Sequence, residues 1–311
     1  MSRTVAVTGG TGFVGAALIQ TLIERGDKVK ALARDAQRLA HFPDIAVVPG
    51  SLENEGALSS LAEGSDILIH CAGLTHARRD EEFFSVNVEG ARRAAQAAAR
   101  HRAKLVHISS LAARRPEVSA YAESKRKSED AVAEGSGANP FIALRAPAIY
   151  GPGDAATLPY FKLVRSGLAP EPAAEPSPRA SILYVGDVVA AILQAADEAR
   201  ENAIYEIGDD SPSGYSWGEI GQALGEAFGR PPARLPAPRW LLASYATCAA
   251  GISRMAGQAP MVTPGKIREF FHPDWVARDN LLADATSWRA RTPLKEGFAK
   301  TVRWYQENGL L

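Results

Sequence analysis

The feature that most constrains this chain lies near its start. Thr8-Gly9-Gly10-Thr11-Gly12-Phe13-Val14-Gly15 follows the apolar run Val5-Ala6-Val7 and precedes an apolar periodicity at Leu18, Ile19, Leu22 and Ile23. A buried strand, a glycine turn and an amphipathic helix open a dinucleotide-binding βαβ unit. The glycines stand at 9, 12 and 15, which gives G-x-x-G-x-x-G rather than the commoner G-x-G-x-x-G. Gly9 is expected to turn the chain at positive φ, Gly12 to admit a pyrophosphate close to the backbone, and Gly15 to let helix and strand touch. The helix N-terminus would offer free N–H groups and positive dipole to the anion. Thr11, Phe13 and Val14 are therefore counted with the glycines as cofactor contacts.

Strand and helix patterns alternate beyond this point. Lys28–Ala33, Ile45–Val48, Asp66–Gly73, Leu105–Ile108 and Phe141–Arg145 read as strands. Leu52, Leu58 and Leu61 mark a crossover helix, and alanine-rich helices are expected over about 81–101 and 119–134, the latter capped by Ser119. The expectation is an α/β fold, a Rossmann-type doubly wound parallel sheet with a smaller C-terminal substrate-binding lobe. The dinucleotide domain would comprise 1–153 and about 180–200. The lobe would comprise about 154–179 and 203–311, with Gly167–Arg179 as a Pro-rich loop. Trp240–Ile252 is the longest apolar stretch, too short to span a bilayer. It reads as a core or cleft-covering helix, the alternative being an interfacial membrane helix flanked by Arg239 and Arg254.

Charge and composition exclude several classes. Lys plus Arg and Asp plus Glu both number 35, so no basic excess points to nucleic acid. Two cysteines, Cys71 and Cys248, do not make a disulfide framework, and a strand expected from residue 4 leaves no room for a signal peptide. A cytoplasmic location is the expectation. No Cys/His/Asp spacing suggests a metal site.

The second strand ends at Arg34, where an acidic residue would meet the ribose hydroxyls of NAD. The planar guanidinium suits a 2′-phosphate, so NADP(H) is favoured over NAD(H), although Asp35 beside it offers a ribose contact. Cys71, Ala72 and Gly73 end the fourth strand in small residues that admit a ribose.

Tyr121 and Lys125, four apart, share a helical face. With Thr8–Gly15, His70–Gly73, Asn87, Ser109-Ser110, Leu144–Gly153 and Tyr184–Val189 in this order, the chain resembles the extended short-chain dehydrogenase/reductase superfamily, and within it the NAD-dependent epimerase/dehydratase family. The resemblance covers essentially the whole chain. It implies that Tyr121 is the general acid/base, that Lys125 lowers the phenol's pKa and holds the nicotinamide ribose, and that Ser110 orients the substrate oxygen, with Ser109 as the fallback. It implies a water relay supported by Asn87 and a cofactor contact at Pro147; at Gly50-Ser51-Leu52, where many members of the family carry an aspartate for adenine, Leu52 and the backbone are left to hold it. Leu111-Ala112-Ala113 stand where dehydratases of the family carry acids, which disfavours dehydration. Arg179 occupies a position where epimerases meet a diphosphate, a solvated loop charge being the plainer reading. His76 reads as a loop residue near the cofactor mouth.

The expected activity is NAD(P)-dependent hydride transfer on a small-molecule carbonyl/alcohol pair. The alternatives are a nucleotide-sugar epimerase with tightly held NAD and a non-catalytic cofactor-binding subunit or sensor. A homodimer through the helices near 81–101 and 119–134 follows from the resemblance alone.

Overall fold

The computed structural model describes residues 2–311. The strands are β1 (Thr4–Thr8), β2 (Lys28–Ala33), β3 (Ile45–Pro49), β4 (Ile67–His70), β5 (Lys104–Ser110), β6 (Phe141–Ala146), β7 (Ala148–Tyr150), β8 (Leu168–Pro172), β9 (Arg179–Ala180), β10 (Ile182–Tyr184), β11 (Ala203–Glu206), β12 (Tyr215–Ser216), β13 (Ala233–Ala237) and β14 (Asp274–Trp275). Seven of them form one parallel sheet in the order β11-β6-β5-β4-β1-β2-β3. The order reverses direction between β1 and β4, so a crevice opens beyond their carboxyl ends. The central strands are apolar on both faces, as β4 (Ile-Leu-Ile-His, all buried) shows, because helices cover both sides.

The helices are α1 (Phe13–Glu24), α2 (Glu55–Ala62), α3 (Asp80–Phe83), α4 (Gly90–His101), α5 (Ala120–Ser136), α6 (Leu158–Arg165), α7 (Val185–Glu198), α8 (Trp217–Ala227), α9 (Arg239–Met255), α10 (Pro264–Phe270), α11 (Leu282–Ala285) and α12 (Leu294–Glu307). One face of the sheet packs Leu18, Ile19 and Leu22 of α1 with Val188, Ile192 and Ala195 of α7. Each such aliphatic side chain stabilises the fold by roughly 2 kcal/mol. The other face packs α2 and α4 through Leu58, Leu61, Ala91, Ala94 and Ala98. Small residues let α4 and α5 approach closely: a Cβ on Gly135 would sit 2.8 Å from the Arg92 carbonyl oxygen. A third core, built on Phe161, Ile220, Leu224, Phe298, Val302 and Tyr305, forms the C-terminal lobe.

Three boundaries differ from expectation. Ala203–Glu206, expected in the lobe, is the outermost strand of the large sheet. Gly167–Arg179 is not all loop, because β8 pairs in parallel with β13. The helix expected over 81–101 is interrupted by a π-helical segment, Phe84–Glu89.

Candidate active site

The carboxyl ends of β1, β4 and β5 and the starts of α1 and α5 converge on one crevice. Gly9 has φ +76°, and a Cβ there would lie 2.6 Å from the Ala72 nitrogen. A Cβ on Gly15 would lie 2.2 Å from the Gly9 carbonyl oxygen. Only glycine fits at either position, so the turn and the end of β4 pack backbone to backbone. Gly12 caps α1 with no side-chain hydrogen bond, and the first turn holds no acid. The turn thus keeps N–H groups and dipole for an anion. Thr11, Phe13 and Val14 are half-buried beside it, as are Cys71 and Ala72 across the turn, whereas Gly73 is exposed. These residues fit a dinucleotide. Burial pushes the Cys71 thiol up to about 12, and the side chain packs against the core on one face of the sheet.

Arg34 and Arg38 are exposed after β2, and neither has an acidic partner among the described residues. Asp35 is committed elsewhere: its carboxylate accepts from the Gln37 amide and caps the short turn Ala36–Leu39. Leu52 is half-buried against Gly90, where a Cβ would fall 2.7 Å from the leucine Cδ1. Pro147 is buried just after β6.

The two serines at the end of β5 separate. Ser109 is buried and donates to Glu129 at 2.5 Å. Glu129 is held by Arg145 through two hydrogen bonds of 2.8 and 2.9 Å. Arg145 in turn lies 3.8 Å from Glu206, which also takes Arg114 at 3.2 Å. This buried ion network ties β5, α5, β6 and β11 under the crevice. Ser110 is half-buried, accepts from the Ala112 amide at 3.2 Å, and its hydroxyl reaches the Tyr121 phenol.

Ser119 caps α5 as expected, accepting from Ala122 at 3.0 Å. Tyr121 stands on the first turn, with Phe83 edge-on at 5.9 Å between ring centroids. Lys125 is buried one turn on, and its Nζ donates to the Ile108 carbonyl at 2.7 Å. Burial brings its pKa down to about 8, with Glu129 opposing. The Tyr121 phenol is raised, chiefly by burial; Lys266 and the Ser110 hydroxyl pull it down. The cation over the ring is Lys266, with Nζ 4.3 Å from the centroid and paired to Glu269 at 2.8 Å. Glu269 also accepts from Ser119 at 2.5 Å, locking α10 onto the start of α5. Sequence reasoning missed Lys266 and Glu269, which carry no motif.

Asn87 lies in the π-helical segment and is fully engaged. Its Oδ1 accepts from the Leu74 amide at 2.7 Å, and its Nδ2 donates to the Leu74 carbonyl and to Ser124. Ser124 donates on to the Tyr121 carbonyl at 2.7 Å. Asn87 therefore clamps the loop after β4 to α5, and both amide hydrogens are spent on protein partners. Beside Tyr121 a cleft of about 230 Å³ is lined by His76, Phe83, Arg254, Pro260, Thr263 and Lys266, among others. His76, expected to be a bystander, is part of that wall, and burial lowers its pKa. Arg179 binds the Ser213 and Gly214 carbonyls and pairs with Glu219 at 3.1 Å, so it anchors a loop of the lobe. No group of three or more His, Cys, Asp or Glu that could hold a metal occurs among the described residues.

Known proteins share the fold and much of the sequence. A sequence profile described as the NAD dependent epimerase/dehydratase family matches residues 5–208. A ceramide reductase of Caulobacter vibrioides is 38% identical over 313 aligned positions, covering 99% of this chain and 96% of that protein. The crystal structure of gox2253 superposes with a TM-score of 0.78 at 21% identity over the full length of both chains. MoeE5, solved with UDP-glucose and NAD, gives 0.74 at 21% identity over 99% of each. The two structures establish the fold; the family rests on the sequence matches. The chain belongs to the NAD-dependent epimerase/dehydratase family, as an NAD(P)-dependent oxidoreductase of the extended short-chain dehydrogenase type.

Proposed function

We propose that the protein reduces a ketone on an amphipathic, lipid-like substrate with NADPH. The observation that carries this reading is the division of labour around Tyr121. Ser109 is consumed by Glu129, so Ser110 alone is left to meet a substrate oxygen. The Ser110 oxygen accepts from Ala112, and its hydroxyl beside the Tyr121 phenol is the group to donate to that substrate oxygen. Burial raises the Tyr121 phenol and so favours its protonated form, the form that gives a proton to a carbonyl. Lys125, fixed by the Ile108 carbonyl, is the residue to hold the nicotinamide ribose. When bound, the nicotinamide supplies the hydride. Leu111, Ala112 and Ala113 are buried and apolar, and provide no acid to expel a hydroxyl.

Arg34 and Arg38 support the preference for a 2′-phosphate, since Asp35 is engaged as a cap. The substrate class is supported by the likeness to a ceramide reductase over nearly the whole of both chains. An epimerase reading has the fold in its favour, but Arg179, the residue expected at a diphosphate, is already bound within the lobe. Tyr121→Phe tests the assignment. Turnover of NADPH with a long-chain ketone should fall by at least about 100-fold with NADPH affinity unchanged. Retention of activity within about tenfold would remove Tyr121 as the proton donor.

A further inference from the structure

Helix α9 presents its apolar side outward. Leu241, Tyr245, Cys248, Ile252 and Met255 recur at spacings of four and three, so they form one stripe. All five are exposed, Ile252 at 69% and Met255 at 90%, and Trp240 beside them is 71% exposed. The buried residues of the helix, Ala246 and Ala250, lie on the opposite face. An amphipathic helix in a globular protein ordinarily points its apolar stripe inward. Here small alanines hold the helix on and the large side chains face out.

The charge along this stretch of the sequence is one-sided. Between Ala227 and Arg268 the sequence holds Arg230, Arg234, Arg239, Arg254, Lys266 and Arg268, and no Asp or Glu, in a chain otherwise balanced. Arg234 pairs with Glu171 and Lys266 with Glu269; the other four have no acidic partner among the described residues. A second copy of this face would bring cations against cations. An apolar stripe bearing Tyr245, with Trp240 beside it and exposed Arg239 and Arg254 near the two ends of the helix, matches the interface of an anionic bilayer instead. The helix is not long and apolar enough to cross one.

We propose that α9 lies in the plane of an anionic phospholipid membrane, with Trp240, Leu241, Tyr245, Ile252 and Met255 in the headgroup–acyl boundary. Docking of this face does not depend on the activity proposed above. Arg254, Pro260 and Thr263, at and beyond the end of α9, line the cleft beside Tyr121. On the reading given above, that places the mouth of the active site against the bilayer that carries the substrate.

The full-length protein would be sedimented with phosphatidylcholine vesicles and with vesicles containing about one-third phosphatidylglycerol. The expected result is at least about tenfold more binding to the anionic vesicles, reversed by high salt. Trp240→Ser/Ile252→Ser/Met255→Ser should abolish it while far-UV circular dichroism stays unchanged, because these side chains fill no core. Single Ile252→Glu carries the same expectation should the triple variant misfold. Three results would overturn the proposal: no sedimentation with either vesicle, sedimentation of folded Ile252→Glu equal to wild type, or a wild-type dimer in light scattering that the same variant dissociates. No outcome requires turnover, so failure here is separable from failure of the catalytic reading.

Discussion

Ser109 and Ser110 are neighbours of identical chemistry with opposite surroundings. β-strand alternation sends Ser109 into the buried Glu129–Arg145 pair and leaves Ser110 toward Tyr121. The Tyr/Lys pair and the glycines were legible in the sequence because their spacing is local. Lys266 was not, because only the folded chain brings α10 over the start of α5. Its charge opposes the burial that raises the Tyr121 phenol. Lys266→Met should therefore raise the phenol further and move the alkaline limb of kcat for reduction to higher pH, with Lys266→Arg restoring the wild-type profile. An unmoved limb in Lys266→Met would show that the ammonium does not act on the phenol. Arg34→Ala should weaken NADPH by about tenfold or more, as loss of a charge-assisted contact does, and leave NADH within about twofold. Equal losses, measured by fluorescence titration, would remove the 2′-phosphate contact.

Strand pairing between β4 and β5 places His70 opposite His107, with rings stacked 5.4 Å apart in the sheet interior. His70 meets Thr8 at 2.7 Å and His107 meets Ser128 at 3.0 Å. Burial, with Lys125 nearby, drives His70 down to about 3 and His107 well below its usual value. Both are neutral in the folded protein and charge on unfolding. The unfolded chain therefore binds more protons between the ordinary histidine range and the folded values. Stability should fall as pH drops from about 6.5 toward 3, at up to about 1.4 kcal/mol per pH unit for each ring. Urea unfolding of His70→Asn/His107→Asn should show a flatter acid limb than wild type; parallel limbs would mean that these rings are not the titrating groups.

At the same scale, the alternating strands and the glycine turn were readable because apolar periodicity is a local signal. β8 was not. Pro170 and Pro172 lack N–H donors and read as loop, yet an edge strand tolerates them, and its partner β13 lies far along the chain with Pro236 of its own. The π-helical segment was hidden for another reason: residues 84–89 hold no Gly or Pro to mark a break, and only the tertiary clamp from Asn87 to Leu74 and Ser124 shows what the altered register does.

In the whole molecule, a seven-stranded sheet fixes the cofactor crevice and the C-terminal lobe supplies the wall facing Tyr121. A doubly wound parallel sheet followed from the sequence pattern; the place of β11 at its edge and the lobe's contribution did not, since β11 pairs with β6 and α9 and α10 meet the crevice only in three dimensions. Net reduction at the expense of NADPH is tested most directly by the stoichiometry of NADPH oxidised to alcohol formed when purified enzyme is supplied with a long-chain ketone. One NADPH should be consumed per alcohol, with freely exchanging cofactor. NAD⁺ retained through purification, together with isomerised nucleotide sugar and no net NADPH loss, would contradict it.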